Sequence, residues 1–119
     1  MPSPRLTQPV EPVRAALEAR IALGDVLAER AAAVETPDAE WRTAYGTWNE
    51  ENRMLLVALY ADAAALAAYN AFVPSAAILT ERTYSTSRSM WIRREARVEA
   101  IEWRLARLRE FVAALPASG

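Results

Sequence analysis

Residues 54–73, MLLVALYADAAALAAYNAFV, constrain the fold of this chain most, because they are apolar around the full circumference of a helix. Asp62 and Asn70 are the only strongly polar interruptions of the segment. A helix of this kind must be covered on every side, and two further helices from the same chain would leave one face bare. The segment therefore predicts a contact surface for another copy, another protein or lipid.

Composition favours a single helical domain without a common catalytic centre. The 119 residues are 53% hydrophobic and include 26 alanines but only 3 glycines, a bias typical of helices. All 14 basic residues are arginine, and histidine, cysteine and lysine are absent. Zinc sites, disulfides, Cys-His and Ser-His-Asp nucleophiles, Schiff bases and phosphate-loop lysines are therefore excluded. We expect a protein that is not an enzyme and that has no catalytic, cofactor-binding or metal-binding residues.

The first third of the chain reads as an arm followed by a helix. Four prolines in residues 1–12 predict an extended arm, which is either a frayed end or a strap across a neighbouring subunit. Residues 13–115 are predicted to form one helical domain, and 116–119 a tail. The first helix is expected at about 13–34, with the apolar stripe Val13, Leu17, Ile21, Gly24, Ala28 and Ala31. An acidic row flanks this stripe and consists of Glu18, Asp25 and Glu29.

A second helix is predicted at 37–73. Thr36, Pro37 and Asp38 form a helix-start signal, with a hydroxyl cap, a proline in the first turn and an acid at the positive end of the dipole. A heptad-type seam follows, and its inner residues include Leu55, Leu59, Leu66 and Tyr69. A straight helix of this length would span about 55 Å. The protein must therefore be elongated, or the helix must kink, with Gly46 as the weakest position.

After a hydroxyl-rich loop at 74–87, a third helix is predicted at 88–115 with a second heptad-type seam. Its charges are segregated: Glu95, Glu99 and Glu102 lie on one flank. The opposite flank carries an arginine row made of Arg93, Arg97, Arg104 and Arg107. Because this helix has few ion pairs of its own, the row should bind the acidic row, a partner chain or nucleic-acid phosphates.

The predicted interface combines apolar residues with the arginine row. On the outer side of the second helix we expect contacts through Val57, Tyr60, Ala61 and Phe72. Trp103 lies nearly opposite the seam of the third helix, beside Ile92, which indicates a second contact face. Asp62 on the buried seam would need an arginine partner.

Other interpretations of these segments are weaker. Residues 54–73 match a membrane span in length, but an aspartate near the centre and many alanines oppose insertion. The carboxylates of Glu50 and Glu51, like those on the third helix, are better explained as solvated faces than as metal ligands. Trp41, Tyr45 and Trp48 could form an aromatic cage, but their helical spacing favours a core stripe.

The sequence therefore predicts an all-α protein, an elongated three-helix hairpin or bundle with long heptad-patterned helices and a proline-rich N-terminal arm. Its predicted role is that of a non-enzymatic assembly or structural protein acting by coiled-coil-like helix packing in a homo-oligomer or multi-subunit complex, such as a virion or secretion component. One alternative is a nucleic-acid-binding regulator that uses the arginine row, and another is a membrane-attached helical protein. Since residues 1–12 lack the apolar core of a secretory signal, a cytoplasmic location is expected.

Overall fold

The computed structural model describes residues 5–33, 35–73 and 86–117, with side chains from Arg94 onward in the last range. Within these ranges the chain forms four helices and no strands: α1 (Val10–Ala32), α2 (Asp38–Leu59), α3 (Ala64–Tyr69) and α4 (Thr86–Ala113). The structure measures 55 × 26 × 20 Å along its principal axes. The all-α class is therefore confirmed, with four helices in place of the predicted three.

Several predictions fall outside the described residues. They concern residues 1–4 of the arm, the loop at 74–85, and the side chains of Ile92 and Arg93. The first helix, expected at about 13–34, begins earlier, at Val10, so Pro12 lies in its first turn and not in the arm. A proline is tolerated there because N–H groups of the first turn have no partner within the helix. α2 begins at Asp38, one residue after the predicted start at 37. Pro37 occupies the cap position, and the predicted hydroxyl cap does not form.

The predicted continuous helix 37–73 is instead two helices separated by residues 60–63. Tyr60 is extended and forms an isolated antiparallel bridge with Leu6. Around this bridge the Thr7 N–H donates to the Leu59 carbonyl at 2.9 Å, and the Ala61 N–H donates to the Arg5 carbonyl at 2.7 Å. The chain near its N-terminus thus takes over hydrogen bonds that would otherwise continue α2.

Asp62 has a different role from the one predicted. It is exposed, and its Oδ1 accepts a hydrogen bond from the Ala64 N–H at 2.9 Å at the start of α3. An aspartate in this position satisfies a helix N–H that has no partner within the helix, so it needs no arginine. Gly46, the expected weak point, lies inside α2 without a break.

The core is centred on α1, whereas the sequence predicts the second helix as the central element. α1 packs most extensively against α4 and also against α2. Arg109 of α4 bonds Asp25, and Arg97 bonds the Ala31 carbonyl, so α4 runs antiparallel to α1. The largest fully buried side chains are Trp41, Tyr69, Leu17, Leu56, Leu59, Ile101, Leu108, Val13 and Asn52.

Within this core, α2 and α4 both approach α1 closely at Gly24. A Cβ atom there would lie 2.5 Å from both Leu105 Cδ2 and Trp48 Cζ2. Glycine therefore allows α2 and α4 to approach the same turn of α1.

The apolar circumference of residues 54–73 is resolved by this arrangement only in part. The large residues Leu56, Leu59 and Tyr69 are buried, and most of the exposed positions are alanines. Small side chains expose little apolar surface each, so a single chain covers the segment better than a straight helix would. Met54 and Val57 nevertheless remain 65% and 62% exposed.

Candidate functional site

An open, mostly apolar groove lies between α1 and α2, and we call it the α1–α2 groove. It has a volume of about 740 Å³. α1 contributes Arg20, Leu23, Val26 and Leu27; α2 contributes Glu40, Thr43, Ala44, Thr47, Trp48 and Glu51. This surface is concave and mostly apolar, as binding sites usually are.

The two walls of the groove differ in side-chain size. Leu23 and Val26 project from α1 and are 53% and 57% exposed. On the α2 wall the small residues Thr43, Ala44 and Thr47 lie between Glu40 and Glu51, and both threonines are exposed. Two exposed branched aliphatic side chains beside a row of small ones form a surface suited to a packed helix.

Trp48 lines the groove, and it holds α2 against α1 together with Trp41. The Trp48 Nε1–H donates to the Arg20 carbonyl at 3.0 Å, and the Trp41 Nε1–H donates to the Leu27 carbonyl at 2.9 Å. Trp41 also stacks on Tyr45, with ring centroids 4.9 Å apart. The predicted aromatic stripe of α2 is therefore a core element that fixes α2 against α1.

An ion pair crosses the groove at each end. Arg20 Nη1 lies 3.4 Å from Glu51 Oε2, and Arg30 Nη2 lies 2.9 Å from Glu40 Oε1. The two arginines are ten residues apart on α1, so the groove is about 15 Å long. At both ends α1 supplies the cation and α2 supplies the anion.

A buried polar network supports α2 behind one end of the groove. The fully buried Asn52 accepts from Arg20 Nε at 2.6 Å and donates from Nδ2 to the Tyr69 hydroxyl at 2.9 Å. That hydroxyl donates in turn to Asn49 Oδ1 at 2.6 Å. The network links α1, α2 and α3. Its hydrogen bonds give the buried polar groups of Asn52 and Tyr69 partners within the protein.

Burial is the main cause that raises the pKa of Tyr69, to about 12. In the unfolded chain the same phenol ionises near pH 10. Between these values the unfolded chain releases a proton that the folded protein retains, so the phenol's contribution to stability is lost as the pH rises. We expect the free energy of unfolding to fall above pH 10 with the slope of one proton, about 1.4 kcal/mol per pH unit.

Denaturant unfolding between pH 8 and 12 measures this effect. Tyr69→Phe should be less stable than the wild type at pH 8, because Asn49 and Asn52 lose a partner, but its stability should decline less above pH 10. Parallel curves for the two proteins would contradict this role of Tyr69. Burial also raises the pKa of Tyr60, which adds a fall of the same sign in both proteins.

The arginine row points mainly into the protein. Arg97 is only 5% exposed and donates to three carbonyls, those of Ala31, Ala33 and Thr36, at 2.8, 3.0 and 3.2 Å. These carbonyls belong to the end of α1 and the turn before α2. Arg97 therefore closes the α1–α2 connection and is not available as a surface residue.

Arg104 and Arg107 contact aromatic rings and polar groups of the same chain. Arg104 donates a hydrogen bond to the backbone carbonyl of Tyr69, and its Cζ atom lies 4.6 Å from the centroid of the Tyr69 ring. Arg107 lies 4.8 Å from the Trp103 ring and bonds Glu110 at 2.6 Å. The Trp103 ring also lies 5.5 Å from Phe72, so this predicted second contact face is half covered by the chain itself.

Of the residues predicted to form outer contacts on the second helix, some are exposed and others are buried. Val57 and Ala61 are exposed, but Tyr60 is 5% exposed and packs on Phe111 at 6.0 Å between ring centroids. The bridge to Leu6 rotates Tyr60 inward, which the pattern of a continuous helix could not indicate.

The carboxylates considered as metal ligands are not assembled into a site. Glu50 pairs with Arg53, and Glu51 with Arg20. In the part of the chain that the structure describes, no three acidic residues come together to bind a metal ion. Asp25 of the acidic row does bind α4, although its partner, Arg109 at 2.6 Å, lies outside the predicted arginine row.

Sequence reasoning missed the α1–α2 groove. Leu23 and Val26 lie outside the predicted α1 stripe, but with Ala19 and Ala22 they form a second apolar stripe at helical spacing. That second stripe was the available signal.

Comparisons with known proteins found no relative of this chain. No protein-family model, curated protein or solved structure matches the chain. Among the described residues, no helix combines the length and apolarity that crossing a membrane requires.

Proposed function

We propose that the protein is a non-enzymatic helical assembly component that packs its α1–α2 groove against helices in a homo-oligomer or multi-subunit complex. The exposure of Leu23 and Val26 beside a row of small α2 residues is the observation that carries this proposal. Covering these branched aliphatic side chains with a packed helix is favourable by about 25 cal/mol per Å² of apolar surface buried.

The groove offers contact rather than reactive groups. Its two carboxylates, Glu40 and Glu51, are each paired with an arginine, and its remaining side chains are aliphatic, aromatic or hydroxyl-bearing. Two members of the arginine row, Arg97 and Arg104, give no support to nucleic-acid binding, since both donate to carbonyls of the same chain. A packing role therefore explains more of the groove than catalysis or phosphate recognition does.

Site-specific photocross-linking in the native host tests this proposal. A photoreactive residue in place of Val26 should give a defined cross-linked product, because Val26 would face the packed helix. The same residue in place of Asp25, which is exposed on the side of α1 that faces Arg109 of α4, is the matched control and should give little product. No product at Val26, or equal products at both positions, would contradict a packing role for the groove.

A further inference from the structure

We propose that the α1–α2 groove packs against the same groove of a second copy, in a dimer whose twofold axis runs parallel to α1. This inference rests on the proposed function and names its partner. In such a dimer α1 of each copy lies against α2 of the other, so that four helices form two layers and each runs antiparallel to its neighbours. The contact is closed, because each copy uses the same surface once.

Charge is the first argument for this arrangement. At both ends of the groove α1 is the basic edge and α2 the acidic edge. A twofold axis parallel to α1 exchanges the two edges without changing the height along the groove. Arg30 therefore faces Glu40 of the second copy, and Arg20 faces Glu51 of the second copy. Arg30 and Glu40 are 41% and 62% exposed, so both are accessible for this second contact. At the other end Glu51 is 54% exposed, but Arg20 is only 15% exposed and donates to Asn52 and Trp48, so the Arg30–Glu40 end carries the charge argument.

A twofold axis perpendicular to the helices gives the opposite result. It reverses the height along the groove, so Arg20 would face Arg30 of the second copy and Glu40 would face Glu51. Like charges placed directly opposite one another disfavour an interface. The charge pattern therefore selects the parallel axis.

Side-chain size is the second, independent argument. Leu23 lies three residues from Arg20, and Thr47 lies four residues from Glu51, so Leu23 and Thr47 are at nearly the same height along the groove. At the other end, Val26 lies four residues from Arg30 and Ala44 lies four residues from Glu40. Val26 and Ala44 are therefore also at nearly the same height. The parallel axis consequently places large α1 side chains against small α2 side chains of the second copy, as interdigitating helices require.

Met54 extends this complementarity by one turn. It is 65% exposed and follows Thr47 and Glu51 at helical spacing on the outer face of α2. Ala16 of α1 lies at nearly the same height. Here the large residue is on α2 and the small one on α1, so the same axis again pairs large with small.

Charge reversal tests the pairing between copies. Arg30→Glu and Glu40→Arg each break the pair within the chain and place like charges across the proposed interface. In sedimentation experiments each variant alone should dimerise at least about tenfold more weakly than the wild type. An equimolar mixture should recover near wild-type affinity as a heterodimer, because every facing pair is again opposite in sign. Repair within one chain cannot explain this recovery, since neither variant has an intact internal pair.

Asp25→Arg and Arg109→Asp provide the matched control. This ion pair also joins two helices, is similarly exposed at 52% and 55%, and links α1 to α4 instead of α2. These variants should dimerise like the wild type, alone or mixed. Loss of dimerisation in them, a monomeric wild type at about 1 mM, or no recovery in the mixture of groove variants would each overturn the proposal.

The cross-linked product at Val26 separates this inference from the proposed function. A self-adduct of twice the 13.2 kDa chain mass supports both. A defined adduct of another mass overturns the second copy as the partner while the packing role stands. The absence of any adduct contradicts both.

Discussion

Replacing Arg97 with methionine is expected to destabilise the protein by about 3 kcal/mol, the largest loss for any charged residue described above. Three carbonyls at the end of α1 and in the following turn would lose a charged donor at 2.8–3.2 Å. Arg97 also lies 5.8 Å above the Trp41 ring, so its stem contributes packing as well as hydrogen bonds. Denaturant unfolding measured at one pH would give the difference.

Two variants sharpen this prediction. Arg97→Lys should recover only part of the loss, because an ammonium group cannot reach three carbonyls with the fixed fork of a guanidinium. Arg109→Met removes the ion pair between Arg109 and Asp25, which at 2.6 Å is shorter than any of the Arg97 hydrogen bonds but is exposed to solvent. This substitution should therefore lower the free energy of unfolding by about 1 kcal/mol or less. If Arg97→Met were as mild as Arg109→Met, Arg97 would not stabilise the α1–α2 connection.

The same Gly→Ala substitution should have opposite effects at Gly24 and Gly46. At Gly24 the added Cβ would lie 2.5 Å from the Trp48 ring and from Leu105, so overpacking costs about 1–3 kcal/mol and outweighs the gain in helix propensity. At Gly46 nothing lies within 4 Å, and alanine should stabilise α2 by about 1 kcal/mol. Because the gain in helix propensity is common to both variants, their unfolding free energies should differ by the overpacking cost alone, roughly 1–3 kcal/mol.

Each variant is the control for the other, because both glycines are in helices and neither has a positive φ. Denaturant midpoints and slopes should be compared, since an unchanged slope shows that stability alone has changed. Equal stabilisation by both substitutions would mean that the Trp48 ring can move away, and the close approach at Gly24 would then not be a structural requirement.

Local patterns predicted the parts of the fold that depend on neighbouring residues. The α1 stripe through Val13, Leu17 and Ala31 is buried, and α2 begins within one residue of the start that the Thr36-Pro37-Asp38 signal predicts. These features follow from helical periodicity and from the chemistry of helix starts.

The break after Leu59 could not be predicted in this way, because it depends on hydrogen bonds with residues 5–7, more than fifty positions earlier. Periodicity in residues 54–73 is compatible with a straight helix, and the alanines there favour one. The competing long-range bridge has no local signature apart from an extended segment between prolines.

The arginine row illustrates a similar limit. Segregated charges on a helix indicate partners beyond its own carboxylates, and the structure provides them for Arg97 and Arg104 as backbone carbonyls and aromatic faces. A sequence pattern shows which charges lack partners on their own helix. It does not show which backbone carbonyls at the end of another helix will accept hydrogen bonds from those charges. The groove residues Leu23 and Val26 were accessible to sequence reasoning, as a second stripe on α1.

The pairing of α1 with α4 determines the order in which a newly made chain can complete its core. Val13 leaves the ribosome roughly 5–20 s before Leu108, at synthesis rates of about 5–20 residues per second. During that interval the nascent protein can form the α1–α2 hairpin, but the apolar surface of α1 that packs against α4 stays uncovered until α4 is translated. Early intermediates should therefore be exposed to chaperones and to aggregation until synthesis is nearly finished.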